Sequence, residues 1–440
     1  MTENDASLQR LIDWLSEDKK CSISASISAH ETSYGGRGIF ADKQLEARQQ
    51  IIKITPSYLL NFSTIVEHIL SWSRTMTENS KSRFKLPETT GREDDITRLL
   101  YAKLDKSTLH RLTSFQIVAM YLCLEKSRGV RSWWKPFIDS LPPTSDFDLS
   151  PLVWLINSDN DRSSKQFTCL PQSTQRHADK MYKRFTTDYT TVQTIISSHT
   201  QLSSSSSSSW ITRSDFLWAW FCVNSRCLYM SIPEAHTKDD NFTMAPFVDL
   251  INHSAQDHCS LQVDHNGFHV MTSSSYSTDE EVFLSYGPHS NEFLLCEYGF
   301  VLPSNPWNDV DLTEQITALL SEHQCEFLKE KGYLGEYTIN MDGISFRVEV
   351  ALAVLLEKDG NLFTNRRING LMSGVVDGKF YKRRADMILE EVLENVQAEH
   401  QNALDDLETG DKKITDTIVG LYRDELAIID HHLGLLQGDQ

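Results

Sequence analysis

Apolar residues at Leu8, Leu11, Ile12 and Leu15, after Ser7, have the spacing of a short amphipathic helix. The period then falls to two through residues 21–28, 38–41 and 50–54, which predicts strands, and Pro56 ends that stretch. Helical spacing returns over residues 94–143, in Leu99-Leu100, Leu104, Leu109, Leu112 and the run 117–124, closed by Pro142-Pro143. Residues 158–209 are polar and finish in seven serines, Ser203 to Ser209, a run with too little apolar surface to order itself and read as a surface loop. Ser214 is placed as the cap of a helix over residues 215–230. From Ala245 to Tyr286 the period is again two. Leu261 and Val263 alternate outward, His265-Asn266-Gly267 turns, and Phe268, Val270 and Thr272 alternate back, the pattern of a hairpin. Beyond Pro303 and Pro306 the spacing is helical to the end. Asp311 and Glu314 read as a capping box for residues 312–328, and Leu389, Val392-Leu393, Val396, Leu404 and Leu407 form one face of a long second helix. Strands, helical insert, strands, helical tail: the class is α+β.

The 440 residues suffice for two or three units with a substantial core, and 40% hydrophobic with 23% charged is ordinary globular composition. The acidic start Met1-Thr2-Glu3-Asn4-Asp5 lacks the plan of a signal peptide, and the most apolar stretch, residues 216–230, is interrupted by Asn224 and Arg226. These features predict a soluble protein of the cytoplasm or nucleus with no membrane contact. The eight cysteines include no CxxC pair, which suggests neither a zinc cluster nor a disulfide framework. A net charge of −19 argues against direct binding of nucleic acid and suits a basic protein partner.

Candidate chemistry gathers in two places. Asn252-His253 follows the apolar run 247–251, and Tyr286-Gly287 follows the strand-like Val282-Phe283-Leu284. Polar groups at the ends of buried runs need partners, and a ligand can be one. Gly36-Arg37-Gly38 is by itself a tight turn, or else a place where backbone approaches a ligand closely. Arg226 lies in an apolar helix and either snorkels to the surface or pairs with an acid, for which Asp249 is the candidate. His253, His258, His265 and His269, with Asp249 and Asp257, raise the question of a metal, but their spacing matches no compact zinc pattern, and no metal is expected. Tyr286 and Tyr298 taken singly would be packing residues.

In combination these segments resemble the SET-domain protein-lysine methyltransferases, in the branch that includes the Rubisco large-subunit and fungal ribosomal-protein enzymes. Gly36-Arg37-Gly38-Ile39-Phe40-Ala41 is similar to the opening SET motif. Ser132-Trp133-Trp134-Lys135-Pro136-Phe137, Leu141-Pro142-Pro143 and Leu170-Pro171-Gln172-Ser173 resemble the helical insert, and 249–254 with 285–300 resemble the SET core. The resemblance implies a fold of small sheets with a pseudoknot interrupted by a helical insert, then an all-α tail. It divides the chain at 1–93, N-terminal SET part; 94–240, insert with the serine-rich loop; 241–303, SET core; and 304–440, substrate-binding domain. It implies S-adenosylmethionine as cofactor. Gly36, Arg37 and Gly38 would hold its methionine end with Arg226 and Asp249 nearby, and Asn252 and His253 would bond it. Tyr286 and Tyr298 would line the methyl-transfer pore, and Phe300 would pack on the adenosine. The target it implies is a lysine of a non-histone protein, such as a ribosomal protein or elongation factor. Two other readings stay open on the residues alone: a histidine acceptor on the same fold, or a binding module without turnover.

Two departures from the resembled pattern are visible. Asp279-Glu280-Glu281 stands where a Gly-Glu turn is usual, and no cysteine-rich segment follows Tyr298.

Overall fold

The computed structural model describes residues 3–72, 84–85, 95–200, 210–231, 240–256, 258–407 and 410–438. Ser203 to Ser209 and Asp257 lie outside them. The chain divides into two compact units, Met1–Asp148 with Lys180–Pro288, and Leu149–Asp179 with His289–Gln440.

The first unit is built on three small sheets. In one, Gln50–Ile54 is flanked by Ser22–Ile23 and by Gly267–Met271, which pairs in turn with Ser260–Asp264 in the hairpin that Asn266-Gly267 predicts. In the second, Ile27–Glu31 pairs with Arg37–Ala41, which pairs with Glu281–Leu284, and that strand runs parallel to Asn252–His253. The parallel pair brings together segments about thirty residues apart in sequence. The third sheet joins Leu60–Asn61, Phe242–Met244 and Cys227–Tyr229. Helix Ser114–Arg128 of the insert is buried from Ser114 through Glu125, and Thr113 with Gln116 caps it. Glu125 is fully buried and bonds the Tyr101 hydroxyl, Ser132 Oγ and both Nη1 contacts of Arg128, while Arg128 Nε reaches Asp95 at 2.9 Å.

Two local expectations are corrected, and one helix is added. Within the polar stretch 158–209, residues 172–199 form a 28-residue helix, Gln172–His199. Its apolar residues Ala178, Met181, Phe185, Val192, Ile195 and Ile196 follow helical spacing and are buried. The cap of the following helix is Thr212, whose Oγ1 accepts from Asp215 N, and that helix, Arg213–Arg226, stops at Arg226 because Cys227 turns extended into a strand. Asp311 ends a strand instead of boxing a helix with Glu314. It pairs within Asp309–Asp311, and the helix expected over 312–328 is broken into Thr313–Leu319 and Glu322–Glu330, with Ser321 and Gln324 forming the capping box.

The second unit is helical, with one addition to the expected tail: a sheet of Asp309–Asp311, Thr338–Asn340 and Gly343–Ile344. Its core includes Leu312, Ile316, Phe327, Val350, Leu352, Leu393 and Ile429. Helices Lys382–Asp405 and Lys412–Gly438 complete it.

Candidate active site

Gly35 and Gly36 take φ of +100° and +73°, left-handed backbone that glycine adopts without strain, and they turn the chain from Ile27–Glu31 into Arg37–Ala41. Gly38 has a different constraint. A Cβ there would lie 2.2 Å from Glu281 Oε1 and 2.9 Å from Asn252 Nδ2. Its absence lets the Asn252 amide come within 3.0 Å of the Arg37 carbonyl and 2.8 Å of Glu281 Oε1. Glu281 also accepts from the Tyr34 hydroxyl at 2.7 Å, and burial together with that carboxylate holds the phenol protonated well above its usual range. The sequence did not single out Tyr34, and it showed Glu281 only as part of the altered turn 279–281, because only folding brings the two to Asn252.

The strand Asn252–His253 is set in register by Phe283↔Asn252 and Leu284↔His253. Tyr286 therefore emerges beside His253: the ring centroids are 5.1 Å apart and nearly parallel, and Tyr286 N donates to His253 Nδ1 at 3.1 Å. A nitrogen that accepts carries no proton, so the proton of a neutral ring sits on Nε2. The Tyr286 hydroxyl donates to the Ile251 carbonyl at 2.8 Å. Just upstream, buried Phe247 has φ +70°, unusual for a residue with a bulky side chain and costing on the order of 1–3 kcal/mol. The surrounding core holds this kink, which turns the chain into the short helix Val248–Leu250 that carries Asp249.

Asp249 is the acid that Arg226 requires. Arg226 Nη1 donates to the Asp249 carbonyl at 2.6 Å and to Oδ2 at 3.3 Å, and the Asp249 side chain is fully buried. Burial pushes the Asp249 carboxyl up, opposed by Arg226 and Arg37. Arg37 donates through Nη2 to Ser140 O, and desolvation with repulsion from Arg226 lowers its pKa. Two guanidinium groups thus face one carboxylate. Arg37 Nη1, Arg226 Nε and Asp249 Oδ1 are all buried without a hydrogen-bond partner among the described residues. Orphaned buried groups of this kind are costly, and native structures normally satisfy them. Two donors and one acceptor match an amino-acid zwitterion: the donors suit a carboxylate and the aspartate suits an ammonium. The methionine end of S-adenosylmethionine has that chemistry, so the residues fit the group.

Tyr298 and Phe300 belong to the second unit. Ser290 caps helix Asn291–Tyr298, and Gly299 ends it at φ +83° with its N–H on the Leu294 and Leu295 carbonyls. This glycine turn sets the Tyr298 and Phe300 rings edge to face at 6.1 Å. One residue absent from the sequence reading stands behind this helix. His177 bridges two of its carboxylates, Nδ1 to Glu292 at 2.9 Å and Nε2 to Glu297 at 2.8 Å. Burial disfavours the charged ring, but the two carboxylates outweigh it and push His177 up to about 9. His177, Glu292 and Cys296 are close enough to suggest a metal, yet a doubly bonded imidazolium has no lone pair to give. The histidines weighed earlier are separately engaged: His269 bonds Gln50 and Asp264, and His258 bonds the Cys259 carbonyl.

Residues 36–287 match the SET domain, an interval that opens at the Gly36 turn and closes at Gly287 beside Tyr286. The chain belongs to the SET-domain family. Residues 308–435 match the ribosomal lysine N-methyltransferase 2 C-terminal domain. The chain is 29% identical to ribosomal lysine N-methyltransferase 2 of Saccharomyces cerevisiae, across 97% of this chain and 98% of that protein. It is 28% identical to human SET domain-containing protein 4, across 73% and 66% of the two chains. Among solved structures, Rubisco LSMT bound to AdoMet superposes with TM-score 0.64 at 17% identity, covering 98% of this chain and 92% of that one. The SET domain of LSMT bound to lysine and AdoHcy gives 0.65 at 16%, covering 99% and 92%. Likeness at that identity establishes the α+β SET fold with its helical C-terminal region.

Proposed function

We propose that this SET-domain protein-lysine methyltransferase acts on a lysine of a ribosomal protein, with S-adenosylmethionine as methyl donor. The observation that carries the cofactor reading is the Arg37–Arg226–Asp249 group with its orphaned donors and acceptor. Support for the substrate is the similarity along 97% of the chain to a ribosomal lysine N-methyltransferase and the matching C-terminal domain. Such a target would be met in the cytoplasm or nucleus, and it is basic, which suits a chain of charge −19.

The bound cofactor supplies an electrophilic methyl group, so the protein's task is binding, alignment and electrostatics. Arg37 and Arg226 would grip the carboxylate of the methionine end while Asp249 takes its ammonium. Asn252, fixed by the Arg37 carbonyl and Glu281, sets the edge of that site, and Gly38 leaves the room for it. Tyr286, anchored by the Ile251 carbonyl and stacked on His253, and Tyr298 would orient the incoming amine, which attacks as the neutral form favoured by an apolar channel. Phe300 would cover the adenosine. Residues 304–440 would present the substrate.

The test is transfer of labelled methyl groups into a ribosomal-protein extract by wild type and Tyr286→Phe, with mass spectrometry of the modified residue. The expected result is a labelled lysine in wild type and a much weaker signal in the variant. A labelled histidine would replace the lysine reading. Cofactor binding without any transfer would favour a binding module.

A further inference from the structure

The surface of the second unit carries a basic stretch in this acidic chain. Of the nineteen residues 366–384, six are lysine or arginine and one, Asp377, is acidic, in a chain of net charge −19. All six cations are exposed. Lys379 is engaged by Asp377 at 2.9 Å and Lys382 by Asp386 at 3.0 Å. Among the described residues, no carboxylate forms an ion pair with Arg366, Arg367, Arg383 or Arg384. Phe380 stands in their midst, 52% exposed, with the Arg367 guanidinium 4.0 Å from its ring centroid and that of Arg384 at 5.6 Å. Arginines committed to protein acids would be a solvated face; Arg367 and Arg384 are instead held against an exposed ring.

We propose that this surface binds single-stranded RNA, with a base stacked at Phe380 and phosphates held by Arg367, Arg384 and their neighbours. Charge complementarity requires an anionic partner, and the aromatic between guanidinium groups selects among anions. A nucleotide offers both a phosphate and a π-face, whereas an acidic peptide offers only the charge. The net negative charge does not cancel the patch, because at physiological salt charges beyond about 8 Å are largely screened while phosphates in contact are not. The proposal narrows the expectation of no nucleic-acid contact to the rest of the surface. It rests on the ribosomal-protein reading only for its setting, since such a substrate is assembled beside RNA.

Fluorescence anisotropy of a labelled oligouridine with the full-length chain tests it without any methyl transfer, so its failure leaves the catalytic reading standing. Binding is expected to weaken with salt at a log–log slope of about −0.7 for each phosphate neutralised. Arg367→Glu with Arg384→Glu should weaken it at least about tenfold and flatten that slope. Phe380→Ala should weaken it at least about fivefold with the slope unchanged. Unchanged thermal midpoints and S-adenosylmethionine affinity would show that the variants fold. Wild-type binding no tighter than the double variant's overturns the proposal. So does equal competition by a polyglutamate peptide of matched charge, which would make an acidic protein the partner.

Discussion

At the residue scale, the functional weight falls on groups whose partners are fixed by one or two bonds. Tyr286→Phe removes the donor to the Ile251 carbonyl, a loss of about 1–3 kcal/mol. Expressed in the transition state, that lowers kcat by about five- to 150-fold, with the affinity for S-adenosylmethionine little changed; calorimetry beside steady-state kinetics separates the two. Asp249→Asn leaves Arg37 and Arg226 repelling each other and removes the negative charge that would hold the ammonium. Cofactor affinity should fall by at least about tenfold, and equal affinity in wild type and variant would contradict the zwitterion site. His177 makes a pH prediction. Its folded pKa of about 9 stands above the ordinary 6.5, so its stabilisation is complete below pH 6.5 and is lost as pH rises through 9. The full effect is on the order of 3 kcal/mol. In urea unfolding, wild type should exceed His177→Gln at pH 6 by a margin that shrinks by pH 10; a constant margin would exclude the charged bridge. Of these residues, Arg226 announced its need for an acid by lying in an apolar run. His177 gave no signal, since Glu292 and Glu297 are more than a hundred positions away.

Elements with dense apolar periodicity or local turn residues were legible, and those with sparse apolar stripes or distant partners were not. The 260–271 hairpin is visible because alternation and Asn266-Gly267 are both local. Helix Gln172–His199 was hidden by its six threonines and other polar residues. Its i−4 hydroxyl bonds and its buried stripe only become favourable once the core is present to receive that stripe. In the insert, helix Ser114–Arg128 stands or falls with the Glu125–Arg128–Asp95 network, whose three side chains are at most 6% exposed. Arg128→Met strands two buried carboxylates and should cost about 3–5 kcal/mol. Chemical denaturation measures this, and a change below about 1 kcal/mol would show the network to be dispensable.

At the scale of the whole molecule, charge acts on encounter. A chain of −19 meeting a basic substrate should show kcat/KM falling as salt is raised, while kcat is nearly constant, because screening slows association and leaves the bound geometry alone. A salt-independent kcat/KM would remove steering from the account. The same field makes the basic stretch at 366–384 conspicuous, although the overall charge pointed away from nucleic acid.

The sequence by itself determined the α+β order of strands, insert, strands and helical tail, and it carried the motifs Gly36-Arg37-Gly38, Asn252-His253 and Tyr286-Gly287. Apolar spacing and turn residues are local properties, and local properties survive in one dimension. Tertiary structure decided the rest. The parallel pairing of Asn252–His253 with Glu281–Leu284, the Tyr34–Glu281–Asn252 contacts and the two guanidinium groups near Asp249 join segments from tens to hundreds of residues apart. Such contacts form only when burying the common core repays the entropy of closing the chain between them, so no local pattern records them.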